Sequence, residues 1–193
     1  MPRFTRAELE SFRGAEVPDL VGSAMRLLFV GINPGLMTAA TGIHFGNPGN
    51  RFRPALVGAG LLPPLDGAPP GMTEADLATL VSRGVGITNL VRRATARADE
   101  LTRAELVAGG ASLEAFVARH TPRVVAVLGV TAYRLAFAHP RAVLGRQPDP
   151  LAGSALWVVP NPSGLNAHET IASLAAAYAA PARAAGIPGV GGG

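Results

Sequence analysis

Cysteine is absent from the 193-residue chain, which removes disulfides, thiolate metal sites and cysteine nucleophiles. Lysine is absent as well, so all 17 basic residues are arginines, against 13 acids. No apolar run is long enough to span a bilayer, the stretch 124–130 being among the longest. Arg3 and Arg6 open the chain with no apolar signal core behind them, so no export is expected. No His/Asp/Glu spacing resembles a metal site, and no cofactor is called for. Neither a Walker pattern nor a Gly-x-Gly-x-x-Gly follows the first apolar run, which removes the usual phosphate cradle of small-nucleotide enzymes.

What is present fits one domain. With 48% apolar residues, 1–185 can bury a single core, and the glycine-rich 186–193 reads as a flexible tail. The all-arginine basic set favours polyanions, because the guanidinium fork matches phosphate and base edges. A coding bias toward Ala, Arg, Gly and Pro explains the same excess, so charge alone settles nothing further.

Short apolar runs at 25–30, 85–91, 123–129 and 155–159 read as buried strands, each cut by glycine or proline or leading into a polar stretch. Helical spacing fills the intervals at 5–12, 73–81, 101–120, 131–137 and 168–184. Strands alternating with helices predict an α/β sandwich around a short, mainly parallel sheet. In such sheets ligands bind beyond the carboxyl ends of the strands, which gathers loops 31–47, 89–100, 129–131 and 160–168 around one crevice. The segment 63–71 reads as a mobile connection.

Three loops carry candidate chemistry. Gly-Ile-Asn-Pro-Gly-Leu at 31–36 places the Asn33 amide directly after a strand, where its oxygen can hold a water; Asn-Pro and glycine also make plain turns. Pro-Asn-Pro-Ser-Gly-Leu-Asn-Ala-His at 160–168 puts an apolar Leu165 among polar neighbours, as a wedge between stacked bases requires. The loop at 42–52 supplies His44, Phe45, Arg51 and Phe52; Phe45 offers a face for a base, Arg51 a phosphate contact, and Phe52 suits the core.

Together these loops resemble those of the mismatch-specific uracil-DNA glycosylases and the related thymine-DNA glycosylases, over about 26–178 and including Gly-Ile-Thr-Asn-Leu-Val at 86–91. The resemblance implies the three-layer α/β/α sandwich of uracil-DNA glycosylases, reached independently from the strand pattern. It implies a monofunctional glycosylase, acting as a monomer on double-stranded DNA, that flips uracil opposite guanine and hydrolyses its glycosidic bond. A prokaryotic cytoplasmic location, with the chromosome, goes with that. By position, Asn33 matches the asparagine that aims the attacking water, with Ile32 beside it. Phe45 matches the aromatic residue that stacks on the base, and Asn161 lies in the base-pocket loop. Ser163, Gly164, Leu165 and Asn166 occupy the wedge that reads the opposite guanine. His44 leans to the thymine-glycosylase side, and no arginine follows Leu165, a departure from the family's common pattern.

Hydrolysis at C1′ passes through an oxocarbenium-like sugar and a uracil anion. Asn33 cannot take a proton, and no acid lies between Gly31 and Phe52. The nearest acids on the expected site edge are Asp99 and Glu100; Asp99 is expected to orient water or steady the cation, with helix capping as its alternative. Asn89 ends its strand and is a candidate for lining the pocket, and His44 is expected to donate to the uracil O2 in either its neutral or its protonated form. Arg92, Arg93 and Arg97, and His168, are expected to track the DNA backbone. Two rivals remain: a catalytically weak lesion-binding protein and a small-molecule nucleotide enzyme.

Overall fold

Four apolar runs form the parallel core of one sheet: β1 (Leu27–Gly31), β2 (Val85–Asn89), β3 (Val124–Leu128) and β5 (Ala155–Val159). A two-residue β4 (Gly145–Arg146) pairs antiparallel with β5 and closes one edge, giving the order β2-β1-β3-β5-β4. The computed structural model describes residues 4–64, 67, 71–164 and 166–190.

Side chains alternate across the sheet, as a pleated strand requires. Leu27 and Phe29 face one way, onto a core shared with α3 (Phe52–Gly58), α4 (Glu74–Ser82) and α7 (Ile171–Ala184). Leu28 and Val30 face the other, onto α5 (Arg103–His120) and α6 (Val130–Ala136). Both faces are covered, which is why the strands read as continuous apolar runs and the architecture is the expected three-layer sandwich. No described helix is long and apolar enough to cross a membrane.

Helix starts follow capping chemistry. Thr5, Thr73, Thr102 and Thr170 each accept from the backbone three residues on, in capping boxes that open α1 (Arg6–Glu10), α4, α5 and α7. Two helices lie where only loop was expected: α2 (Leu36–Thr41) and α3. The residue that caps each, Gly35 or Arg51, gives no side-chain hydrogen bond, although Asn50 Oδ1 accepts from the Phe52 amide at 2.9 Å at the start of α3.

The glycine-rich end does not hang free as far as it is described. Ile187 is buried in the core, the Val190 amide donates to Gly60 O at 2.8 Å, and Arg26 donates to Gly186 O at 2.6 Å. Burial of Ile187 together with these hydrogen bonds holds a segment whose composition suggested a flexible tail. Residues 191–193, and 65–66 and 68–70 of the expected mobile connection, lie outside the described residues.

Candidate active site

The strand order reverses at β1, and there the loops leaving β1, β2 and β5 enclose a cavity of about 640 Å³. Asn33, directly after β1, lines it. Its Nδ2 donates to Thr95 Oγ1 at 2.7 Å, to Pro34 O at 3.1 Å and to Arg93 O at 3.3 Å. Two of these acceptors are carbonyls, which cannot donate, so the amide orientation is settled by its partners. Oδ1 accepts from no described residue and is not among the buried unpartnered atoms. An oxygen held in place yet open to a cavity is what aiming a water needs. Thr95 is buried at 1% exposure and passes its own proton to Arg97 O at 2.7 Å, which leaves its oxygen lone pairs to Asn33.

Asn89 ends β2 opposite Gly31. A Cβ at Gly31 would collide with Asn89 Oδ1 and sit 3.4 Å from Phe45 Cζ, so the missing side chain is what lets amide and ring converge. Phe45 stacks on the core residue Phe52 with ring centroids 4.1 Å apart. Its φ of 55° is a left-handed conformation unusual for an aromatic residue and worth about 1–3 kcal/mol of strain, which the surrounding packing sustains.

His44 is 4% exposed, with Nε2 3.0 Å from Pro18 O. A carbonyl only accepts, so Nε2 carries the proton and Nδ1 is left as a lone pair in the neutral ring. Burial lowers the imidazole pKa, outweighing the Pro18 carbonyl and Asp19, which act the other way. The expected donation to a uracil O2 therefore needs correction. The neutral ring has spent its one N–H on Pro18 and offers an acceptor.

The loop after β5 is held from below. The buried Tyr178 hydroxyl, whose pKa burial raises well above normal, donates to Pro160 O at 2.9 Å. Asn161 Oδ1 accepts from the Ser163 amide at 3.1 Å, and Asn161 O accepts from Asn166 Nδ2 at 3.1 Å. Gly164 lies so close to the 42–52 loop that a Cβ there would be 2.6 Å from Gly49 O. Arg51 ties the two loops together: its guanidinium donates to Ser163 O and Asn166 O, each at 2.7 Å, and to Glu169 O. This replaces the phosphate contact expected of Arg51, because both terminal nitrogens donate to backbone carbonyls and Nε is buried. Ile32, His44, Phe45, Asn89, Asn161, Ser163 and Gly164 all line the same cavity as Asn33. Leu165, the expected wedge, lies outside the described residues.

A profile of the uracil DNA glycosylase superfamily matches residues 18–180. The chain belongs to that superfamily. Its fold is shared with the solution NMR structure of a candidate uracil DNA glycosylase from Methanosarcina acetivorans, at a TM-score of 0.54 and 17% identity over 88% of this chain and 97% of that one. Membership supports a DNA glycosylase role, with DNA as substrate and hydrolysis of a glycosidic bond as the reaction.

Other expected residues lie elsewhere. Asp99 sits in a single 3-10 turn at 98–100, outside the cavity lining, and pairs with Arg97 at 2.6 Å where both side chains are mostly exposed. Its carboxylate is spent on the surface rather than turned to a water. Arg92 pairs with Glu16 and Asp19, and Arg93 with Glu105, whose carboxyl is held down to about 2 by that guanidinium and by Thr102. Arg97 touches the cavity rim despite its pairing, while Arg92, Arg93, Asn166 and His168 do not line it. The carboxylate among the described lining residues is Glu10, held by Arg13 at 2.7 Å. It comes from α1, which also contributes Arg6 and Leu9 to the wall. The Thr5 cap made α1 readable as a helix, but nothing local says which surface it docks on.

Proposed function

We propose that this glycosylase is of the mismatch-specific type and excises uracil opposite guanine from duplex DNA after flipping it into the Asn33 cavity. The observation that carries the reading is the Asn33 amide, whose nitrogen is anchored by three acceptors and whose oxygen is left open beside Phe45 and Asn89. In this reading Phe45 stacks on the base, and Asn89 and Asn161 take its polar edge. Asn33 Oδ1 accepts from the attacking water, whose oxygen bonds to C1′ as the C1′–N1 bond breaks. The electron pair leaves on uracil, and a proton follows from the water. Holding a reactant in line in this way is worth on the order of a hundredfold or more in rate.

Ser163, Gly164, Leu165 and Asn166 form the wedge that fills the gap left by the base, presented by a loop that Arg51 and Tyr178 preorganise. The protein acts as a monomer, with the chromosome. The reading is tested on uracil·guanine, thymine·guanine and uracil·adenine duplexes under single-turnover conditions, with alkaline cleavage reporting abasic product. Fastest release from uracil·guanine is expected. No release from any uracil duplex, with binding retained, would replace an enzyme with a lesion-binding protein.

A further inference from the structure

The arginines that chain position suggests for tracking DNA, Arg92 and Arg93, are already neutralised by Glu16, Asp19 and Glu105. A second group of cations is not. Arg141 and Arg146 are exposed and have no carboxylate partner among the described residues. They flank Val143 and Leu144, exposed at 67% and 45%, and border a cavity of about 460 Å³ with His139 and Asp149. Arg134, beneath them, is committed to Ala142 O at 2.7 Å and 2.9 Å, which fixes the turn that presents them.

The register puts this hook on the site's side of the sheet. Gly145 of β4 pairs with Val158, one residue short of the end of β5, and β4 runs antiparallel. Residues preceding Gly145 therefore rise past the same sheet edge from which the 160–166 loop departs. From β1, which leads into the Asn33 loop, to β4 is three strand spacings, about 14 Å. Measured along the axis of B-form DNA, that distance spans about four phosphates of one strand.

We infer that the 139–146 hook is a second contact for duplex DNA, with Arg141 and Arg146 on the phosphates of a strand a few nucleotides from the flipped base. Val143 and Leu144 lie against the sugar edges between those phosphates. The inference rests on the duplex reading above. It moves strand tracking from the 92–97 loop to the far edge of the sheet, where the cations are unpaired and the turn beneath them is rigid.

The test is the salt dependence of duplex affinity. Each phosphate contact contributes a slope of about 0.9 in log affinity against log salt. The R141Q/R146Q variant is expected to bind uracil·guanine duplex more weakly and to lose about 1–2 from that slope. Its single-turnover rate at saturating DNA should be unchanged, because neither arginine reaches the Asn33 cavity. The R119Q/R183Q variant removes the same charge from the ends of α5 and α7 and should keep the wild-type slope. Equal slopes for wild type and R141Q/R146Q would overturn the inference and leave the duplex reading standing. Equal losses in both variants would also overturn it, because net charge alone would then account for the change. A wild-type protein that neither binds uracil duplex nor releases base would instead bring down the reading on which this rests.

Discussion

Two polar regions meet at the same sheet edge and are built on opposite plans. Around Asn33, Asn89 and Asn161 the groups are neutral amides that line the cavity, and those of Asn33 and Asn161 are each tied at one end. In the segment 92–100 the groups are charged, but Arg92, Arg93, Arg97 and Asp99 each have an opposite charge for a partner. The first plan leaves atoms available to a substrate and the second does not.

Substitutions should break this contrast unequally. Gly31→Ala is expected to have the largest effect, on the order of a hundredfold or more in single-turnover rate, because its methyl would collide with Asn89 Oδ1 and displace that amide from the base site beside Phe45. Melting of the variant, measured alongside, separates a misplaced pocket from an unfolded one. Thr95→Val removes the shortest anchor of Asn33 while keeping volume, and should slow release about tenfold with duplex affinity unchanged. A change in affinity without a change in rate would show that Asn33 does not depend on that anchor. Asp99→Asn should alter the rate by less than about twofold, since it breaks an exposed pair of a kind worth about 0.2–1 kcal/mol at most. A tenfold loss would restore Asp99 to the chemistry.

His44 supplies a pH signature of the amide region. Its folded pKa lies below its unfolded value, so between the two values the unfolded chain holds a proton that the folded chain lacks. Stability therefore falls as pH drops from the ordinary histidine range toward the folded value. The melting temperature of wild type should decline over that window more steeply than that of His44→Asn. Matching profiles would mean that the ring titrates normally and that its burial is not maintained in solution.

Much of the architecture was legible because it rests on local rules. The four parallel strands announced themselves as apolar runs, and helical spacing located α1, α4, α5, α6 and α7, although Thr102 and Thr170, which cap two of them, fell inside the expected ranges 101–120 and 168–184. α2 was missed because it is six residues long and begins without a side-chain cap, α3 because its only local start signal is Asn50 Oδ1 on the Phe52 amide, and β4 because two residues carry no pattern. In the site, Asn33, Phe45 and Asn89 were legible from glycine-punctuated loops at strand ends. Arg51 was misread because its partners are backbone carbonyls some 112–118 residues away, which no local spacing encodes. Glu10 and Thr95 went unnoticed for the same reason: their places depend on where α1 and the 92–97 loop dock.

The central claim is that Asn33 aims a water by an oxygen that only a fixed amide can offer. It is tested most directly by comparing wild type with Asn33→Ala on uracil·guanine duplex, measuring base release under single-turnover conditions and duplex affinity in the same buffer. The account predicts a loss of about a hundredfold or more in release with affinity within a few-fold of wild type. Release at the wild-type rate by a folded Asn33→Ala protein would contradict it.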